Sequence, residues 1–453
     1  ELKGEQEDEG PKKRIFDKSF FHKKCLLNKK VWKINTNQYK LVVGSLIFER
    51  IFIITMKYSA KKLTAQYALT QAAYWMVFCG LYTFATVYLL SKGLTSSKIG
   101  IIVACGNLLG FVLQPYISGL ADRFQNLTLH YLVEVLIGVM ILAILLLLLL
   151  PDVFVLIFLL YVIADALLQV LQPLLNSLSI YYVNAGINVD FGIARGMGSL
   201  SFAVMSSVLG VMCDKFGANV SMISAILLLL AVFCLVLSMP VIKACDEQKR
   251  DKASNQSSKQ KMGIVSFLMH YKRFSMVLFA SVLVFIFHNM YNTYLIQVVK
   301  GIGGTSTQMG TALTIAAVCE LPAMFGFSLI ARKFSSAKLM IFATIVFSIK
   351  AFATYFAGNV FELYASMVLQ MFSFAIITPA SVYYVNEVMN EEHRYTGQAL
   401  MVGTTTVSGV IGSLLGGFIL EATNFHVMLL VGCFISVLGT ILMMTFARNE
   451  KED

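Results

Sequence analysis

The sequence predicts an all-α polytopic membrane protein in which twelve transmembrane helices form two pseudo-symmetric six-helix bundles. Three observations predict this fold class: the composition, a series of long apolar segments, and motifs that occur once in each half. Hydrophobic residues make up 57% of the 453-residue chain and charged residues only 13%, about half the charged fraction of a soluble protein. Much of the surface must therefore face lipid.

The apolar segments determine the number of helices. A segment needs about 20 mainly apolar residues to cross the hydrocarbon core. Its backbone polar groups must be paired within the segment, which favours a helix, and the alternation typical of a membrane barrel is absent. We predict spans at residues 65–91, 98–121, 128–150, 153–182, 195–216, 219–243, 274–299, 308–331, 337–357, 360–385, 397–420 and 426–447.

Two motifs indicate that one unit is written twice. Ser179-Ile-Tyr-Tyr-Val-Asn184 recurs as Ser381-Val-Tyr-Tyr-Val-Asn386, and each copy closes a long apolar segment. Gly119-Leu-Ala-Asp-Arg-Phe124 has a looser counterpart in Leu329-Ile-Ala-Arg-Lys-Phe334. Duplicated halves in a membrane usually form the two walls of a transport path.

The chain is predicted to divide into an N-terminal extension (1–55), an N-terminal bundle (56–243), a linker (244–273) and a C-terminal bundle (274–453). The extension is rich in charge, and its apolar stretch is too short to span a membrane. We therefore predict that Met56 is the natural start and that the extension is not native. The alternative is a disordered cytoplasmic extension.

Basic residues are concentrated at one end of the predicted bundles. The linker carries Lys249, Arg250, Lys252, Lys259, Lys261, Lys272 and Arg273, whereas the opposite end offers Lys92, Lys98, Lys215 and Lys300. The positive-inside rule then predicts a cytoplasmic linker and cytoplasmic termini in a cell (inner) membrane. The net charge of +11 reflects this bias, so no nucleic-acid partner is expected. The eight cysteines show neither metal-binding spacing nor a disulfide framework.

The first motif carries a family resemblance. Gly119-Leu-Ala-Asp-Arg-Phe124 resembles the signature that the major facilitator superfamily has between its second and third helices, and the resemblance extends over nearly all of 57–453. It implies the major facilitator fold, a monomer, and a conformational gate in which Asp122 and Arg123 hold one state. A simple loop anchor is the alternative for these two residues.

A second segment narrows the resemblance to one branch. Phe191-Gly-Ile-Ala-Arg-Gly-Met-Gly198 is similar to the start of helix five in the oligosaccharide–proton symporters, the lactose permease-like branch. Tyr74-Trp75-Met76 and Gln114-Pro115 also resemble that branch. The resemblance implies proton-coupled symport of a sugar or another hydroxyl-rich small solute by alternating access. No cofactor is expected, because the proton serves as the coupling ion.

The resemblance also implies where the solute binds. Arg195 matches the arginine that binds sugar hydroxyls in the branch, and a guanidinium offers five fixed donors to paired hydroxyls or to a carboxylate. An interfacial arginine that reaches for water is the alternative. Asn176 and Phe202 replace an acid and a stacking tryptophan of the branch, which weakens the case for a galactoside. The remaining predicted substrate-binding residues are Gln172, His288, Asn292 and Trp75.

Charged residues inside spans are costly and are candidates for proton coupling. Glu320 matches the branch's helix-eight glutamate, which links sugar binding to proton transfer, and Lys350 takes the place of a helix-nine arginine. A purely structural pair is the alternative. Asp165 begins a polar stripe on helix four that continues through Gln169, Gln172 and Asn176 within an arc of about 60°. Asp165 either carries a proton or joins helices.

Several proton-handling groups of the branch are missing. Its helix-ten lysine, histidine and glutamate fall at Met367, Gln370 and Ser373, and its helix-seven aspartate falls near Asn292. Either Glu320, with Asp165, carries the proton or the protein is a uniporter. An exporter, a carrier of nucleosides or aromatic acids, and a transport-inactive membrane sensor remain alternatives. An enzyme is not expected, since the chain has no nucleotide-binding GxxxxGK[ST] motif and no soluble catalytic domain.

Overall fold

The protein is described by a computed structural model over residues 60–123, 128–242 and 263–447, and every regular element in these ranges is helical. The predicted fold class is confirmed. Eleven helices are long and apolar enough to cross a membrane, and a bent pair at the start makes the twelfth. We number the spans α1 (60–91), α2 (Ser96–Arg123), α3 (Leu129–Leu149), α4 (Phe154–Asn184), α5 (Phe191–Phe216), α6 (Asn219–Ser238), α7 (272–301), α8 (Ser306–Ile330), α9 (Ser336–Phe356), α10 (Val360–Val388), α11 (Arg394–Ala422) and α12 (Phe425–Phe446).

Three spans are interrupted. α1 consists of Ala60–Phe78, a π-helical turn at Cys79–Thr83 and a short helix, Ala85–Ser91, that is bent by 44° from the rest. α7 consists of Lys272–Thr293 and Leu295–Gly301. α10 consists of Val360–Val368, a 3₁₀ turn at Leu369–Met371, and Phe374–Val388. Such breaks inside helices are frequent at functional sites, because they redirect side chains.

Local chemistry explains where the span limits differ from the prediction. α5 begins at Phe191 and not at residue 195, because the Asp190 carboxylate accepts a hydrogen bond from Ile193 N at 3.0 Å and caps the helix. α6 ends at Ser238, before residue 243, because Pro240 follows and the residue before a proline disfavours helix. Within the predicted linker, residues Ile264–His270 form a short helix.

Two predictions fall outside the described residues. The predicted extension, 1–55, lies there entirely, so Met56 as the natural start stays a prediction. α2 ends at Arg123, but the side chains of Asp122 and Arg123 are not among those described, so the predicted gate also stays a prediction.

The helices pack as two bundles that meet along two seams. In the N-terminal bundle α1 packs against α5 and α6, and α4 packs against α2 and α3. In the C-terminal bundle α12 packs against α7 and α9, and α11 against α7. Between the bundles, α5 lies against α8 and α2 lies against α11. The halves correspond in order, so these two seams are equivalent under the pseudo-symmetry.

The seams are tight at one end only. We call the end from which the linker leaves the linker end, and the opposite one the far end. At the far end, a Cβ on Gly210 would lie 2.5 Å from Ser306 O, and a Cβ on Gly417 would lie 2.6 Å from Ser96 O. Toward the linker end a Cβ on Gly196 would touch only the tip of Phe325, at 3.7 Å. The bundles therefore diverge toward the linker end.

The first tyrosine of the duplicated Tyr-Tyr motif has different surroundings in the two halves. At the end of α4, Tyr181 Oη accepts a hydrogen bond from Ile242 N at 2.8 Å and donates to Ile242 O at 3.0 Å. Tyr182 Oη donates to Pro240 O at 3.1 Å. These bonds hold the chain that leaves α6 for the linker. The counterpart Tyr383 is 46% exposed and packs on Phe327.

We predict that Tyr181→Phe lowers the free energy of unfolding by about 1–3 kcal/mol, because both backbone groups of buried Ile242 lose their partner. The thermal midpoint of the purified protein in detergent measures this loss. Tyr383→Phe is the matched control from the other repeat and should leave the midpoint unchanged. Equal midpoints for the two variants would contradict the assignment.

Candidate functional site

Arg195 lies on α5, where that helix faces both α1 and α8. Its guanidinium carbon is 4.4 Å from the centroid of the Trp75 ring, and Nη1 donates to Ser199 Oγ at 3.3 Å. A Cβ on Gly198 would overlap Trp75, so the glycine makes room for the indole. The sequence between Phe191 and Gly198 thus provides both the cation and the space for the ring beneath it. The cation–π contact stabilises the half-buried guanidinium without occupying its N–H donors.

Glu320, Gln370 and Lys350 form a bridged acid–amine pair in the C-terminal bundle. Gln370 Nε2 donates to Glu320 Oε1 at 2.8 Å, and Gln370 Oε1 accepts from the Lys350 ammonium. Lys350 is 2% exposed, and its Nζ lies 5.6 Å from the centroid of Tyr291. Among the described residues, no direct ion pair joins Glu320 to Lys350. The amide therefore connects the two charges, which are on α8 and α9.

The 3₁₀ turn of α10 places this amide. Gln370 is the middle residue of Leu369–Met371 and is 6% exposed. Its orientation is determined by its neighbours, because only one arrangement points the NH₂ group at the carboxylate and the oxygen at the ammonium. The reversed amide would place donor against donor and acceptor against acceptor.

His288 and Asn292 extend the polar series along α7. The two side chains share a hydrogen bond of 3.0 Å, and the His288 ring stacks on Phe374 with centroids 4.9 Å apart. Lys350 lies within electrostatic range of His288, as does Arg195 of Glu320. Polar groups from five helices are thus brought together, in the order Arg195, Glu320, Gln370, Lys350, His288 and Asn292.

Asp165 lies elsewhere. It is 1% exposed and packs on Gly106 of α2, where any side chain would overlap its carboxyl group. Gln169 Nε2 donates to its Oδ2 at 3.4 Å, and Oδ1 has no hydrogen-bond partner among the residues that the structure describes. In this conformation Asp165 belongs to the packing of α4 on α2, so its predicted part in proton coupling stays a prediction.

Of the other predicted substrate-binding residues, Trp75 contacts Arg195, whereas Asn176 makes a contact between helices. Asn176 Oδ1 accepts from Gln71 Nε2 at 3.0 Å, and the described residues include no hydrogen bond between Asn176 and Arg195. Phe202 and Gln172 are half-buried, on α5 and α4. Trp75 is in direct contact with Arg195, as described above. Asp165, Gln169 and Asn176 of the α4 stripe therefore contact α1 and α2 in this state.

Two glutamines complete the site, and sequence reasoning assigned a role to neither. Gln71 connects Asn176 to Tyr67, donating to the Tyr67 hydroxyl at 2.9 Å. For Gln370 the sequence indicated only that it replaces a helix-ten histidine of the related branch. A signal existed for both: each is an uncharged amide inside an otherwise apolar span, where a polar group must have a partner.

Aromatic rings line α1 beside Arg195. Trp75 and Phe78 have centroids 5.2 Å apart, and Phe78 stacks on Tyr82 at 4.8 Å with an interplanar angle of 28°. The π-helical turn Cys79–Thr83 changes the helical register between these rings. A column of aromatic faces next to a hydrogen-bond donor suits a solute with one flat apolar face and one polar edge.

Comparison with known proteins identifies similar chains. The model of the MFS_1 like family matches residues 66–431. A maltose permease from Geobacillus stearothermophilus is 24% identical over 299 residues, which cover 64% of this chain and 73% of that protein.

Two solved structures share the fold. The crystal structure of the nucleoside transporter NupG has a TM-score of 0.73 at 14% identity and covers 86% of this chain and 100% of its own. A crystal structure of the peptide transporter POT has a TM-score of 0.65 at 12% identity, covering 84% of this chain and 94% of its own.

A double-mutant cycle tests the bridge. We predict that Lys350→Met alone lowers the free energy of unfolding by about 1–3 kcal/mol, because the buried Gln370 amide oxygen loses its donor. In a Glu320→Gln background the same change should cost less by about 0.5–3 kcal/mol. The thermal midpoints of wild type, both single variants and the double variant give this coupling. Ser348→Ala, which breaks hydrogen bonds to Ser436 and Thr440 on α12, is the control and should add independently to Glu320→Gln. Strict additivity of Glu320→Gln and Lys350→Met would show that Gln370 does not couple the two residues energetically.

Proposed function

Since the chain belongs to the MFS_1 like family and is a transporter of the major facilitator type, we propose that it performs proton-coupled symport of a hydroxyl-rich small solute. One observation carries the proposal: the Arg195 donor lies within electrostatic range of Glu320, and Gln370 connects that carboxylate to Lys350. In this proposal the group that binds the solute, on the N-terminal bundle, is electrostatically coupled to the ionisable group of the C-terminal bundle.

Coupling requires that the proton and the solute each bind the two states of the carrier with different affinity. Ionised Glu320 accepts from Gln370 and offsets part of the positive charge of Arg195 and Lys350. Protonation removes this negative charge and weakens the contact that α8 makes with α10 through Gln370. Solute hydroxyls at Arg195 then replace part of the interaction that the ionised Glu320 carboxylate made with Arg195. Binding of the proton and binding of the solute therefore favour the same rearrangement.

The hydrogen bonds of Gln370 to Glu320 and Lys350 also fit a proton path that contains few titratable groups. Gln370 has no proton to exchange at physiological pH, and it stands where the related branch has a histidine. The proton must then be carried by Glu320, and the amide serves to orient the carboxylate. This interpretation supports symport with one principal carboxylate over uniport.

The electrostatic interaction between Arg195 and Glu320 favours a neutral solute. Arg195 already has a carboxylate nearby, so an anionic solute would compete with Glu320 for the same cation. Sugar hydroxyls instead accept from Arg195 and donate to Glu320 at once. The named substrate of the similar maltose permease agrees with this class.

A nucleoside is the second candidate. The column of Trp75, Phe78 and Tyr82 offers flat apolar faces to a base, and the ribose hydroxyls would meet Arg195. The structural likeness to a nucleoside transporter is in line with this candidate. Competition of unlabelled sugars and nucleosides against a labelled solute in proteoliposomes distinguishes the two.

We predict that Glu320→Gln abolishes accumulation of solute against its gradient while downhill exchange continues, because the neutral amide cannot bind a proton reversibly. Uptake by proteoliposomes with and without an imposed pH gradient measures this. Glu134→Gln, at a half-buried carboxyl of α3, is the matched control and should accumulate solute like wild type. Gradient-driven accumulation by Glu320→Gln would exclude this residue as the coupling site.

We predict that Arg195→Lys raises the KM for solute by about ten-fold or more, because the planar set of donors is lost although the charge remains. The loss should be similar at every pH tested if Arg195 binds solute and Glu320 carries the proton. An unchanged KM would contradict the placement of the solute at Arg195.

A further inference from the structure

A second duplicated sequence forms the far end of both seams. The chain enters α2 through Gly93-Leu-Thr-Ser-Ser-Lys-Ile-Gly100 and enters α8 through Gly303-Gly-Thr-Ser-Thr-Gln-Met-Gly310. The first glycines have φ of 73° and 82°, so the two turns have the same backbone form. At the last glycines, Gly100 and Gly310, a Cβ would overlap the carbonyl oxygens of Ser413 and Ser206 across the seam.

The facing helices carry a duplicated pattern of their own. α5 contains Ser206, Gly210 and Asp214 at four-residue spacing, and α11 contains Ser413, Gly417 and Glu421 at the same spacing. The serine carbonyl and the glycine contact the opposite helix at both seams, as described above. One turn further on, each pattern ends in a carboxylate. The two seams are therefore copies of one contact, including an acid at the same place.

Both carboxylates reach across the seam to the start of the opposite helix. Asp214 accepts from Ser306 N at 3.0 Å, from Thr307 N at 2.8 Å and from Thr307 Oγ1 at 2.6 Å. Glu421 accepts from Ser97 N at 2.8 Å, with the Thr95 hydroxyl nearby. The first amides of a helix have no partner within it, and the helix dipole favours an anion there. Each bundle thus caps one helix of the other.

We propose that Asp214 and Glu421 form a duplicated latch that holds the far end of the transporter closed. Every bond of the latch joins one bundle to the other, so the latch exists only while the far ends touch. Bundles that rock as rigid bodies must break both caps when the far end opens. Asp214 and Glu421 are positioning residues for alternating access, and this role is independent of the solute and of the coupling ion.

The latch is weak enough to open and close reversibly. Both acids are solvent-exposed, so on opening they return to water without a large desolvation cost. α8 also keeps a cap of its own, because the Thr305 side chain accepts from Thr307 N. The end of α8 therefore stays helical when Asp214 leaves. Asp214 makes more bonds than Glu421, so the seam between α5 and α8 is the stronger half.

Hydrogen exchange of the full chain in nanodiscs, followed by mass spectrometry, tests the latch. We expect Asp214→Ala to raise the exchange rate of amides 306–311 by about five-fold, the usual effect of losing one cap. The rate at amides 96–101 in the other seam should rise as well, because the two seams open together. Glu421→Ala should show the converse pattern. The double variant should exceed either single variant, and Asp214→Glu should restore part of the protection.

Asp152 is the matched control. It is an exposed acid at the same end, and its ion pair with Lys92, 2.9 Å long, stays within the N-terminal bundle. Asp152→Ala should leave exchange at both seams as in wild type. Faster exchange confined to 306–311 in Asp214→Ala would reveal a local helix cap and would overturn the latch. Unchanged exchange at both seams would overturn it too.

Discussion

A polar group in the hydrocarbon core has no water to bond, so it must find its partner within the protein. This constraint organises the centre of the molecule. Glu320 and Lys350 are on different helices and do not touch, and Gln370 fills the space between them. Arg195 rests on an indole ring, while His288 is tied to Asn292. The result is one series of polar groups that runs from Arg195 of the N-terminal bundle into the interior of the C-terminal bundle.

The two copies of the duplicated unit make the same contacts in some places and different contacts in others. At the far end both copies kept the same contacts, down to an acid that caps the opposite helix. In the middle, the C-terminal half holds the bridged acid–amine pair, while Asp165 of the N-terminal half is packed against α2. At the linker end, Tyr181 and Tyr182 of the shared Tyr-Tyr motif hold the chain after α6, whereas Tyr383 of the second copy is 46% exposed. The two halves therefore keep the same contacts at the far end and differ in the middle and at the linker end.

Much of the site could be predicted, because charges inside spans are few and costly. Arg195, Glu320 and Lys350 were found that way, and the structure brings them together. Asp165 met the same criterion and Asn176 belonged to its polar stripe, yet both make contacts between helices in this state. The role of Gln370 could not be foreseen, since an uncharged amide differs little from other polar residues until its two neighbours are known. The latch escaped detection because Asp214 and Glu421 lie at span ends, where acids are ordinary.

The sequence by itself determined the fold class and the span limits to within a few residues, because apolar length and local caps are properties of contiguous segments. Only the tertiary structure decided which side of each helix meets which neighbour. Helices of similar hydropathy are all equally soluble in lipid, so hydrophobicity does not choose their partners. Close backbone contacts at Gly210 and Gly417 and a handful of hydrogen bonds make that choice. Such contacts join residues more than ninety positions apart in sequence.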